Sequence, residues 1–178
     1  MNSKTTSEKL IQFIENSPSA FHTVETIKFL LLKNNFSELC ENKHWHITAG
    51  GNYFVTRNNS SLIAFSIPEN PLAGMRIIAS HSDSPTFKIK ENAEIEIRGK
   101  YTQLNTEGYG GMIYAPWLDR PLSIAGRVII KDKETNKLQS KLINIDRDLV
   151  LIPNLAIHMN RDINSGYQYN PQKDLLPL

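Results

Sequence analysis

The sequence predicts an α/β segment over residues 1–90 followed by a β-rich segment over residues 91–178. Three observations carry that division. Apolar residues recur at helical spacing in two stretches before Asn35. Short apolar runs bounded by turn residues follow as far as Ser80. After Lys90 apolar and charged residues alternate, and no helical period of useful length appears to about residue 150.

The first element is "TTSEKLIQFIEN", where Ser and Thr precede Leu10, Ile11, Phe13 and Ile14. That is the pattern of a capped amphipathic helix. Pro18 and Ser19 break it, and Val24, Ile27, Leu30 and Leu31 predict a second helix that Asn34 and Asn35 end. "NYFVTRNNSSLIAFSIP" predicts two strands joined by a turn at Asn58-Asn59-Ser60-Ser61. "MRIIAS", Met75 to Ser80, predicts a third strand covered on both faces, because Ile77-Ile78-Ala79 is apolar without alternation. "AEIEIRG" alternates as a strand with one wet face does, and "AGRVIIKD" and "KLINID" repeat that style across the polar turn "KETNK". The last residues, "KDLLPL", resemble the lead-in to a further element, so the chain is expected to be the front part of something longer.

Composition narrows the function classes. A chain of 178 residues, 40% hydrophobic and 21% charged, fits a globular protein of one medium or two small domains. The formal charge of +2 gives no basic surface for nucleic acid and no charged tail. The start does not read as a signal peptide, and no segment approaches the roughly 18 consecutive apolar residues that span a bilayer. Cys40 has no partner cysteine in this chain, which suggests a reducing, cytoplasmic setting.

The segment "RIIASHSDSPTF" carries the chemistry. An imidazole at the carboxyl end of a buried strand has its backbone fixed and its lone pair aimed, and ligands gather at such strand ends. In an extended His-x-Asp both side chains project to one side. Asp83 then hydrogen-bonds the ring of His81, orients it and raises its basicity as a metal ligand. Taken alone, the motif is short and common, and a satisfied surface histidine is the more ordinary reading. One imidazole also falls short of the roughly three protein ligands a catalytic zinc needs. His44 and His46 form an i, i+2 pair on one face of an expected strand. No carboxylate-rich segment lies near them, so they read as exposed polar residues. His22 reads as a capping or packing residue of the second helix.

Four segments occur in order: "NSPSAFH" (16–22), "ASHSDSPTFKIK" (79–90), "LNTEGYGGMIYAPWLDRPLSIAGRV" (104–128) and "LIPNLAIHMNRDIN" (151–164). Together they resemble the M18 family of metallo-aminopeptidases, of the aspartyl aminopeptidase type, over nearly the whole chain. The resemblance implies a hydrolase that removes N-terminal residues from peptide substrates, with acidic Asp or Glu preferred. It implies a two-metal site, usually zinc, in an α/β catalytic domain with its sheet between helices. A β-rich domain inserted there drives dimerisation, and dimers assemble into a twelve-subunit homo-oligomer. Residues 1–90 are then the first segment of the catalytic domain, and residues 91–178 most of the dimerisation domain. His81 matches the first metal ligand, and Asp83 the catalytic-site carboxylate that steadies it. His158 matches a histidine that reaches the neighbouring subunit's active site and is sometimes counted with the metal ligands. Read from its own surroundings, His158 is a packed residue beside Ile157 and Met159.

Other residues take structural roles. Asp119 and Arg120 read as an ion pair anchoring the turn after Trp117. Gly108, Gly110 and Gly111 read as a bulge or tight turn, since no phosphate-loop Lys-Ser/Thr follows them. Family members are much longer than this chain. The bridging Asp, the paired glutamates and the final His of the resemblance match nothing here, so the 178-residue chain alone is expected to be inactive. The alternatives are a non-catalytic assembly or binding module on the peptidase scaffold, and a related metal-dependent amidohydrolase that shares His-x-Asp but not the block at 104–128.

Overall fold

The computed structural model describes residues 3–70 and 74–178, which form a mixed α/β chain of two compact units. Unit 1 comprises Met1–Asp83 with Ala125–Asn144, and unit 2 comprises Ser84–Ile124 with Ile145–Leu178.

Unit 1 begins with α1 (Ser3–Glu15) and α2 (Ala20–Lys33), both where the apolar period places them. Ser19 caps α2, its hydroxyl accepting from the His22 amide at 3.5 Å. At the far end Asn35 turns left-handed at φ 62°. The Asn35 amide then reaches Leu32 O at 3.2 Å and the Phe36 amide reaches Leu31 O at 3.0 Å, the paired bonds of a Schellman stop. The sheet is ordered β1 (Ser37–Leu39), β2 (Asn52–Arg57), β3 (Ser61–Ser66), with β1 parallel and β3 antiparallel to β2. Asn58 and Asn59 both hold positive φ, 52° and 51°, which gives the tight turn the twist of the flanking strands. Tyr53, Phe54 and Val55 are all buried on consecutive positions, so β2 is covered on both faces.

The hairpin β7 (Ala125–Lys131) and β8 (Leu138–Asn144) belongs to the same unit. Its turn is set by Asp132, whose carboxylate accepts from the Thr135 and Glu134 amides at 2.7 and 3.0 Å. Those bonds hold the Asp132 carboxyl below its ordinary pKa. Arg127 of β7 lies 4.1 Å from the Phe21 ring centroid and donates to Asn58 O at 2.8 Å, tying the hairpin to α2 and to the β2–β3 turn.

One expectation is overturned here. Residues 75–80 form no strand and are not covered: Met75 is 81% exposed, Ile77 83% and Ile78 99%. The apolar run is present, but no strand among the described residues pairs with it.

Unit 2 is built on β4 (Thr86–Ile97) and β5 (Tyr101–Tyr109), an antiparallel pair with a register shift between Ile89 and Glu94. β6 (Pro121–Leu122) pairs with β9 (Val150–Leu151). Phe87 packs against Tyr114 and Trp117, and Tyr169 meets both Tyr114 and Tyr167. Gly110 sits at φ +76° with Pro85 backbone 3.4 Å from where a Cβ would stand, so the tight-turn role fits this glycine. Residues 175–177 are core. Leu175 and Leu176 are buried with Ile152, and Leu178 exchanges backbone bonds of 2.8 and 2.9 Å with Leu151.

Candidate metal-ligand site

His81 lies in the irregular chain after Ser80, not at the end of a strand. One bond to the β2–β3 turn and two within His81–Asp83 hold it instead. The Ser82 hydroxyl donates to Ser60 O at 3.1 Å, fixing the chain beside the β2–β3 turn. His81 Nδ1 lies 2.8 Å from Asp83 O and 3.1 Å from Asp83 Oδ1. Both partners are oxygens without a proton to give when the carboxylate is ionised, so Nδ1 carries the hydrogen and donates. In the neutral ring Nε2 is then the nitrogen that carries the lone pair. The His81 side chain is 80% exposed and that of Asp83 35%. A carboxylate-steadied imidazole with an outward lone pair is the donor chemistry zinc takes.

The number of donors is the limit. Among the described residues no three His, Cys, Asp or Glu side chains gather to hold a metal ion. The residues described therefore fit zinc as one oriented ligand and do not build a complete centre.

His158 sits in an exposed turn of unit 2, closed by the Met159 amide donating to Ala156 O at 2.8 Å. Ile157 and Met159 are 47% and 74% exposed, so the reading of His158 as a packed histidine fails. His81 and His158 belong to different units. His22 packs against the cap expected of it rather than forming one: its Nδ1 lies 2.7 Å from Oγ of the cap residue Ser19, and partial burial lowers its pKa. Asp119 anchors its turn, but not through Arg120. Its Oδ1 accepts from the Asn154 amide at 2.9 Å, and no Asp119–Arg120 ion pair stands among the described residues. His44 and His46 are exposed on irregular chain rather than on a strand, with ring centroids 5.2 Å apart. The sequence reading missed the Ser82–Ser60 anchor. A serine beside the histidine was visible, but its backbone partner across the fold was not.

A family described as aminopeptidase I zinc metalloprotease (M18) matches residues 13–178. A probable M18 family aminopeptidase 2 from Clostridium acetobutylicum is 52% identical over 173 residues, 96% of this chain and 40% of that protein. Aspartyl aminopeptidase 4 of Saccharomyces cerevisiae is 41% identical, covering 100% of this chain and 38% of that protein. The chain thus spans about two fifths of the length of these curated relatives. Among solved structures, a chain in the cryo-EM structure of the Ape4 and Nbr1 complex superposes with a TM-score of 0.91 at 38% identity, over 98% of this chain and 34% of that one. The S. cerevisiae mApe1 dodecamer gives 0.82 at 30% identity, over 99% and 38%. The family match over residues 13–178 and these relatives place the chain: it belongs to the M18 family of aminopeptidase I zinc metalloproteases.

Proposed function

We propose that this chain is the front part of a cytoplasmic aminopeptidase that removes N-terminal residues, acidic ones preferred, through a two-zinc centre. The observation that carries this reading is the His81 ring, whose Nδ1 is engaged by Asp83 while Nε2 meets no hydrogen-bond partner among the described residues. Zinc, when bound, polarises the scissile carbonyl and activates water. The role of this chain is to present one imidazole in a fixed tautomer and to keep it basic. The relative named aspartyl aminopeptidase supports the acidic preference, and the dodecameric neighbour supports a homo-oligomer. In this reading residues 91–178 contribute to the dimerisation domain, and His158, exposed in its turn, reaches a neighbouring subunit's centre.

The 178-residue chain alone is inactive in this proposal, because one imidazole neither holds two ions nor takes the proton of the attacking water. The test uses chromogenic Asp- or Glu-linked substrates with added zinc or cobalt. No turnover is expected from this chain, and turnover by it overturns its inactivity. In a protein that joins these 178 residues to the remaining length of its relatives, Asp83→Asn is expected to lose about 10–100-fold in metal affinity or activity. His81→Ala is expected to lose more. Unchanged metal content and turnover in His81→Ala would remove His81 from the centre.

The second reading, a non-catalytic module, is favoured by the absence of a three-ligand cluster among the described residues. Metal-dependent turnover in the joined protein excludes it.

A further inference from the structure

We infer that His44 and His46 form a two-imidazole chelate for a tetrahedral divalent cation, zinc above all, on the loop between β1 and β2. Both side chains are exposed. The residue between them is pinned. Trp45 Nε1 donates to Cys40 O at 2.8 Å, and its ring stacks on Phe65 of β3 at 6.3 Å between centroids. The same Cys40 carbonyl accepts from the Lys43 amide at 3.1 Å, closing the loop just before the pair. The two Trp45 contacts fix the backbone between the histidines, and each imidazole keeps only its own side-chain rotamers. Preorganisation of this kind reduces the entropy lost on binding.

The spacing selects the geometry. Zinc binds an imidazole nitrogen at about 2.0 Å, which sets the ring centroid about 3.2 Å from the ion. If each ring turns one nitrogen to a shared ion, centroids 5.2 Å apart subtend about 109° there, the tetrahedral angle. A square-planar ion, with its ligands at 90°, would need centroids about 4.5 Å apart. The rings meet at 75°, so they do not stack face to face and block a common ion. No third His, Cys, Asp or Glu joins them among the described residues, so water completes the shell. Glu41, close in sequence, is held by Arg57 at 2.7 Å.

The test is a zinc titration of the purified 178-residue chain, followed through the histidine ring nitrogens by long-range proton–nitrogen correlation. The His44 and His46 signals are expected to move together and saturate at one zinc per pair. His44→Ala and His46→Ala are each expected to weaken binding at that pair by at least about tenfold. Both positions are exposed, and circular dichroism checks that each variant keeps its fold. A peptide of residues 43–48, which lacks the Cys40 and Phe65 anchors, is expected to bind at least about tenfold more weakly than the chain. The proposal is overturned if zinc moves other histidines and leaves His44 and His46 in place. It is equally overturned if either variant binds like the parent, or if the free peptide binds as tightly as the chain.

Discussion

Tyr53-Phe54-Val55 and Ile77-Ile78-Ala79 are apolar triplets of the same unit, each written to lie inside a sheet. Phe54 is fully buried, while Ile78 is 99% exposed. The first triplet has β1 on one side and β3 on the other, so its backbone groups are bonded within the sheet, and its side chains are buried on both faces. The second has no strand beside it among the described residues. Apolar composition states a demand for burial; only a neighbour meets it. The sharpest way to break this comparison is to truncate both. Phe54→Ala is expected to cost about 3–5 kcal/mol, the range for emptying a buried phenylalanine site. Ile78→Ala is expected to stay within about 0.5 kcal/mol, as exposed substitutions do. Urea denaturation of the chain measures both. A loss above about 1 kcal/mol at Ile78 would show that the segment is covered in solution.

The same contrast predicts association. Exposed Met75, Ile77 and Ile78, which pair with no strand among the described residues, offer an apolar stretch that invites a second chain. Under the proposed function that stretch is covered by polypeptide outside these 178 residues. In this chain alone the scattering mass is expected to rise with concentration. A double Ile77→Lys, Ile78→Lys variant is expected to raise the midpoint concentration by about tenfold, the equivalent of about 1.4 kcal/mol. A parent chain that stays monomeric at every concentration would sink the idea.

These contrasts also mark what was legible in the sequence. The β2–β3 hairpin was readable because Asn58 and Asn59 tolerate left-handed backbone, a local cause with a local signature. The ends of α2 were readable for the same reason at Ser19 and Asn35. The His81–Asp83 contact was readable from spacing, and it survives without the strand expected to support it, because its hydrogen bonds span only two residues. What escaped depends on distant chain. β1 is a short strand with two polar residues of three, recognisable only by its pairing with β2. Asp119 finds its partner at Asn154, and the apolar Leu175 and Leu176 find theirs in the core of unit 2. Periodicity carries no record of which neighbour will arrive.

A smaller effect is expected in unit 2, at a position set by backbone rather than burial. Gly110 holds φ +76° with Pro85 close by. Gly110→Ala forces an L-residue into left-handed backbone and is expected to cost about 1–2 kcal/mol. Gly126 has open space about its would-be Cβ and no positive φ, so Gly126→Ala serves as the control. Equal melting temperatures for the two variants would show that Gly110 is not held in that conformation.

The smallest expected effect lies at the start of α2, where a cap and a titration share one contact. Ser19→Ala removes the hydroxyl that caps the helix and is expected to cost about 1 kcal/mol. Burial holds the His22 imidazole below its ordinary pKa. The unfolded chain therefore binds this proton more readily than the folded one, and stability rises with pH through this group. Its contribution is fully present above the ordinary histidine value, about 6.5, and is lost as pH falls below it. His22→Gln keeps the backbone amide that Ser19 accepts and removes only the titration. Other histidines and carboxylates titrate nearby, so the measurement is the difference between parent and variant across pH 4.5 to 7.5, at the ~0.2-unit spacing that resolves a single-proton step. The variant is expected to lose less stability on acidification than the parent. Parallel curves would mean that His22 titrates alike in both states, and that its contact with Ser19 is a cap and nothing more.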